Sequence, residues 1–315
     1  MKSSASTAPK VSLDAGVSPP ERAVLRAVGR EAAATGARVY LVGGAVRDML
    51  LSCGTKDLDV AVETHGGGSG SSVSALATRL SERGGFVSRS VHPRFGTATL
   101  EAKGFRLDLA ATRRESYPRP ASLPEVTPGA TIEEDLSRRD FTIHAMAREI
   151  GEDGGLGPLV DPHGGRRDLE GRVLRLLHER SIADDPTRAC RAARYAARLG
   201  FAVAEDFDAA VEVAKREGAF RALTGDRFRR AIEEAIQEPH AARAVELLVE
   251  QGVLSEVDEE WGSRPPNAAL VGAASAPERW RALLQPLSLA ARERVAERLR
   301  FSRALRRAAG ISRPR

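Results

Sequence analysis

The chain has 315 residues, more than one small core needs and enough for two or three modest domains. Hydrophobic residues make up 42% and aromatic residues only 4%, so the core must be built largely from Leu, Val and Ala. A net charge of +5, carried by Arg far more than by Lys, permits a polyanionic partner. No apolar run is long enough to cross a membrane, and Cys53 and Cys190 have neither metal-ligand spacing nor the density of a disulfide scaffold. Reduced thiols in a cytoplasm are expected.

Residues 1–18 lack the apolar stretch of a signal peptide and are expected to form a disordered lead-in. Ser18-Pro19-Pro20-Glu21 then opens a helix that runs to about Thr35 and stops at Gly36. Ala37 to Val42 is a strand that breaks at Gly43-Gly44. Ala45 to Leu51 is amphipathic and helical, and a second strand carries Asp57 through Val62. Residues two apart on a strand share a face, so Asp57 and Asp59 project together while Leu58 and Val60 point inward. Such a pair can hold one or two Mg2+ ions. Gly43 and Gly44 let backbone N–H groups approach a phosphate, the helix beginning there adds its positive end, and Arg47 reaches the same anion. Metal-binding carboxylates beside a phosphate cradle point to phosphoryl or nucleotidyl transfer.

Thr64 to Ser72 is a flexible loop, and Val73 to Arg83 a helix closed by Gly84-Gly85. Thr97 to Ala102 and Phe105 to Ala110 form a hairpin. Asp108 on its second strand is either a third acid beside the pair, helping to hold metal or taking a proton from the attacking hydroxyl, or a surface Asp at a strand end. Arg113 to Pro128, rich in proline and charge, is an exposed loop. Thr131 and Glu134 make a capping box for a short helix ending near Arg139. Arg138-Arg139-Asp140 can clamp a triphosphate and accept a hydrogen bond from a ribose 2′-hydroxyl, or it can be a solvated helix end. Ile143 to Ile150 and Gly157 to Asp161 are strands. A helix follows with Asp185 at its N-cap, Pro186 at its first position and Gly200 at its stop. Arg188, Arg191, Arg194 and Arg198 line one face of it, so either the face is solvated or something anionic lies along it.

GGAVRD at 43–48 with DLD at 57–59, then RRDFT at 138–142, DP and GG at 161–165, and DDPTR at 184–188 resemble, in order, the motifs of the class II tRNA nucleotidyltransferases and bacterial poly(A) polymerases, a branch of the polymerase-beta-like superfamily. The resemblance covers roughly Val39 to Leu254. It implies an α+β fold: a nucleotidyltransferase head over 19–165, a helical neck and body over 166–254 that reads the base and binds RNA, and a short helical tail over 255–315. It implies Mg2+ at Asp57 and Asp59, with Asp108 in the catalytic set. Gly43, Gly44, Arg47, Arg139, Asp140, Asp185, Arg188, Arg191 and Arg194 form the nucleotide site, and Asp161 to Gly165 a hinge. The substrates would be CTP and ATP, added to the 3′ end of a tRNA gripped by its acceptor arm.

In similar enzymes Asp185 and Arg188 act as a protein template. Cytosine and adenine both present an exocyclic amine beside a bare ring nitrogen, which an acid and a guanidinium match; uracil and guanine present the reverse. Segment 113–128 matches a mobile element of enzymes that add the final A. His144 departs from the family, which usually has Asn there, and Arg227 falls within its last motif. From Ser255 onward the chain matches nothing, and its Arg-rich end is either an RNA-binding arm or a solvated helix. The alternatives are an enzyme adding only A or only CC, a poly(A) polymerase, or a non-catalytic RNA-binding protein of the same fold. Oligomeric state is left open.

Overall fold

The two apolar runs that flank the glycine turn become neighbouring strands in the middle of one mixed sheet. A computed structural model describes residues 17–63, 69–262 and 275–311. They divide into two units, one ending at Gly171 and the other taking Arg172 onward together with Tyr117–Pro124, a segment cut out of the first.

In the first unit a capping box at Ser18 and Glu21 starts helix α1 (Pro19–Ala33). Strand β1 (Arg38–Val42), helix α2 (Gly44–Leu50), strand β2 (Asp57–Glu63) and helix α3 (Ser69–Arg83) follow. Strands β3 (Val87–His92), β4 (Thr97–Ala102) and β5 (Phe105–Ala111) come next. With β8 (Ala147–Ile150) and β9 (Leu156–Val160) they form a seven-stranded sheet of order β3-β4-β5-β2-β1-β8-β9. Only β2 and β5 run parallel. Helices α1 and α3 pack on the sheet and on each other.

Four sequence expectations are corrected. Strand β3 was not foreseen: it lies at the sheet edge with all but one of its residues exposed, so VSRSVH carries no apolar alternation. Helix α3 begins at Ser69, not Val73; residues 64–68 of the expected loop lie outside the described residues. The expected loop 113–128 is instead a ribbon of β6 (Arg113–Ser116) and β7 (Glu125–Pro128). Both strands are polar, which hid the pairing. The expected strand 143–150 is a strand only from Ala147. Thr142–His144 is a turn of 3₁₀ helix, and the apolar residues there are buried as turn core.

Helix α4 (Ile132–Ser137) has its expected capping box. Helix α5 (Gly165–Gly171) starts where both Asp161 oxygens accept backbone N–H groups, from Gly165 at 2.7 Å and Arg166 at 3.0 Å. It stays with the first unit, so the unit boundary falls at 171 and not at 165.

The second unit holds a two-residue parallel ladder, β10 (Val173–Leu174) with β11 (Ala202–Val203), among helices. These are α6 (Ser181–Asp184), α7 (Thr187–Leu199), α8 (Phe207–Arg216), α9 (Ala219–Ala222), α10 (Gly225–Ile236), α11 (Ala241–Glu250) and α12 (Glu259–Gly262), followed by Ala276–Leu284, Leu289–Arg298 and Arg303–Ala308. Helix α7 buries Ala189, Cys190, Ala192, Ala193 and Ala196, small residues that let α10 and α11 approach closely. No helix among the described residues is long and apolar enough to cross a membrane.

Gly165 and Gly164 meet different constraints. A Cβ at Gly165 would lie 2.1 Å from the Thr142 carbonyl oxygen, whereas Gly164 has φ +73° and open space around it. Gly165→Ala is therefore expected to cost about 3 kcal/mol or more through forced separation of backbone, and Gly164→Ala about 1–2 kcal/mol through left-handed strain alone. Denaturant midpoints of the two variants check the order, and equal losses would contradict the close contact.

Candidate active site

Asp57 and Asp59 are exposed on β2 while Leu58 and Val60 are buried, as the alternation required. The parallel register sets Asp108 of β5 directly opposite Asp59. Asp108 therefore stands beside the acid pair. Its Oδ1 accepts from the Thr99 hydroxyl at 2.5 Å, and its Oδ2 from Arg106 Nε at 2.9 Å. The Asp59 carboxyl is pushed above the usual range, first by loss of surrounding water; Arg139 draws it down, while Asp108 and Asp57 push it further up. Acids gathered this way favour a cation between them. Among the described residues no group of three or more His, Cys, Asp or Glu is placed to hold a metal ion.

The glycine turn makes room for a side chain. Gly43 has φ +65°, and a Cβ there would lie 2.9 Å from Arg139 Nη1. Its own N–H donates to the Met146 carbonyl at 3.1 Å, so the expected approach of that N–H to a phosphate is corrected. A Cβ at Gly44 would lie 3.6 Å from Arg47 Nη2, an ordinary contact. Arg139 Nη2 donates to Asp135 at 3.0 Å, and its buried Nε has no acceptor among the described residues. Asp135 was not singled out in the sequence. Burial alone would raise its carboxyl, but Arg139 and Arg138 overrule that and hold it below the ordinary range. Its signal was the spacing of three and four residues to Arg138 and Arg139.

Arg47 and Asp140 are placed differently from expectation. Arg47 is buried, with Nε donating to Asp48 at 2.8 Å and Nη1 lying 2.6 Å from His144 Nε2. The Asp140 carboxylate, also buried, takes the Phe141 N–H at 2.9 Å and pairs with His144 Nδ1 at 3.0 Å. Both are tied into the scaffold through His144.

In the second unit Asp185 precedes the helix by one residue more than expected, because Pro186 takes the N-cap position. The Asp185 side chain still caps: its Oδ1 accepts from Thr187 N at 3.1 Å and from the Thr187 hydroxyl at 2.8 Å. Arg227 Nη2 donates to the same oxygen at 3.0 Å, while Arg227 Nη1 donates to the Ala121 carbonyl at 2.6 Å. Arg188 is buried, its Nη1 donating to the Ser181 hydroxyl at 2.6 Å and its Cζ 5.8 Å from the centre of the Tyr117 ring. The Arg188 N–H donates to the Asp185 carbonyl at 3.0 Å, so the two belong to one turn.

Further along α7, Arg191, Arg194 and Arg198 surround the Tyr195 ring. Arg194 donates to Glu238 at 3.0 Å and also pairs with Glu234, and Arg198 donates to Glu238 at 2.9 Å. Acids of the protein lie along this face and take up Arg194 and Arg198, where the sequence placed Arg194 at the nucleotide. The four-residue step from Glu234 to Glu238 was the available sign.

The first unit thus sets neighbouring strand carboxylates next to a turn opened for an arginine. The family profile described as Poly A polymerase head domain matches residues 39–175. The chain is 39% identical over 230 residues to an A-adding tRNA nucleotidyltransferase of Aquifex aeolicus, covering 72% of this chain and 27% of that protein. It is 47% identical over 182 residues to a CC-adding tRNA nucleotidyltransferase of Deinococcus radiodurans, covering 58% of this chain and 46% of that one. It thus spans about a quarter to a half of the length of these relatives. A solved tRNA nucleotidyltransferase, complexed with a primer tRNA and an incoming ATP analogue, superposes with a TM-score of 0.70 at 29% identity, covering 90% of this chain and 82% of that one. The chain belongs to the class II tRNA nucleotidyltransferase and poly(A) polymerase family.

Glu238→Gln would leave Arg194 and Arg198 with a weaker shared acceptor. A loss of about 1–3 kcal/mol is expected, below the figure for a fully buried pair because Arg198 is partly exposed. Chemical denaturation measures it, and nucleotide selectivity should not change.

Proposed function

We propose that the protein transfers CMP and/or AMP from CTP and ATP to the 3′-hydroxyl of tRNA, held by its acceptor arm, releasing pyrophosphate without a nucleic-acid template. The observation carrying the reading is the way Asp185 is held. Three donors converge on its Oδ1, and among the described residues Oδ2 accepts none. That oxygen is left for an exocyclic amine, while Arg188, one turn away, supplies the guanidinium for the bare ring nitrogen. Cytosine and adenine satisfy both; uracil and guanine leave both unpaired.

Asp57 and Asp59 would hold Mg2+, which when bound supplies charge stabilisation for phosphoryl transfer. Asp108 orders the floor beside them through Thr99 and Arg106. Arg139, whose Nη1 lies in the room made by Gly43, is assigned to the triphosphate. Arg191, one turn beyond Arg188 on the same face, is assigned to the nucleotide or primer phosphates. The tip Tyr117–Pro124, packed on Arg188 and Arg227, favours an activity that includes the final A.

Purified protein with tRNA ending before CCA, after C and after CC, each given CTP, ATP or both, tests this. Completion from the first substrate defines CCA addition, and extension of the third alone defines A addition. CC without A defines the other partial enzyme, and a long A tail on unrelated RNA a poly(A) polymerase. No extension of any RNA refutes the proposal. Asp59→Ala is expected to slow extension by about a thousandfold or more, with tRNA binding retained. Arg188→Ala should reduce discrimination against UTP and GTP by about 10- to 100-fold, and unchanged selectivity would remove Arg188 from the template.

A further inference from the structure

His144 puts a titratable ring at the centre of a buried chain, Asp48–Arg47–His144–Asp140. A guanidinium only donates, so Nε2, 2.6 Å from Arg47 Nη1, must accept. The ring is then neutral, and its one proton sits on Nδ1, donated to Asp140 Oδ1 at 3.0 Å. The charged groups around it are Arg47 and Asp48 on α2, Arg139 and Asp140 just before its own turn, and Asp168 on α5, which accepts from the Thr142 hydroxyl at 2.7 Å. The Phe141 ring packs edge-on at 5.7 Å. The chain joins α2, which starts at the glycine turn, to the segment carrying Arg139.

We infer that His144 is a positioning residue for nucleotide binding. As the neutral Nδ1–H tautomer it holds the glycine turn and the Arg139–Asp140 segment in register, and nucleotide affinity falls when the ring takes a second proton. A protonated Nε2 would turn a donor toward Arg47 and set two cations in contact. An Asn side chain offers the same donor and acceptor without titrating. The inference rests on the nucleotide site proposed above.

Equilibrium binding of ATP and of CTP, measured between about pH 8 and pH 5.5 for the wild type, His144→Asn and His144→Leu, tests it. The wild type is expected to lose about tenfold more affinity over that range than His144→Asn, and His144→Leu to bind weakly at every pH. Groups shared by all three proteins cancel in the comparison. Parallel slopes for wild type and His144→Asn would overturn the role of His144. Failure of the wild type to bind either nucleotide at any pH would overturn the transfer reading itself. Ring ¹⁵N shifts give a second readout that needs no ligand: near neutral pH, His144 should show a protonated Nδ1 and a bare Nε2. The opposite tautomer or an imidazolium would refute the inference even if a variant failed to fold.

Discussion

The parallel pairing of β2 with β5 is the constraint on which the first unit depends. It sets Asp59 opposite Asp108, an arrangement that folding by itself disfavours because like charges meet where water is thin. Arg106 and Thr99 hold Asp108, and Arg139 acts on Asp59. The far end of the same strand has a second task. Buried Glu63 accepts the Ile132 N–H at 2.6 Å, fixing the start of α4, whose Asp135 in turn holds Arg138 and Arg139. One strand thus carries the acids and places the cation that faces them, so a slip in its register would disturb both together.

Arginine serves two ends in this chain, and local acids decide which. Where Glu234 and Glu238 stand on and just beyond α10, Arg194 and Arg198 are consumed in joining helices. Where Asp135 takes only part of a guanidinium, as at Arg139, an N–H remains for something else. A count of positive charge therefore overstates what is offered to a polyanion, since many of the 48 Lys and Arg side chains stand against the 43 acids, which leave a net charge of only +5.

The legible parts of the sequence were those in which local chemistry and burial agree. The acid pair showed itself because alternation around Leu58 and Val60 forces a common face, and α4 because its capping box needs only neighbours in sequence. The illegible parts lacked such agreement. Strand β3 and the β6–β7 ribbon expose most of their residues, so no periodicity marks them. The turn at Thr142–His144 is buried on all sides and imitated a strand. Arg47 and Arg194 were assigned to the nucleotide because their partners, His144 and Glu238, stand 97 and 44 residues away. Spacing along one element cannot reveal a partner on another.

That limit bears on the proposed choice of a base without a template. The proposed selection by Asp185 would require its carboxylate to keep one orientation, since a rotation exchanging the two oxygens would present a different acceptor. Thr187 restrains it from its own helix turn, and Arg227 from α10, itself held by the Ala121 carbonyl. Two restraints from different elements fix a plane where one would leave a hinge. The neutral ring of His144 meets the same need in the first unit, joining a donor-only guanidinium to an acceptor-only carboxylate through a group that is one of each. In both places the proposed specificity would rest on the groups that orient the reading side chains, held from more than one point.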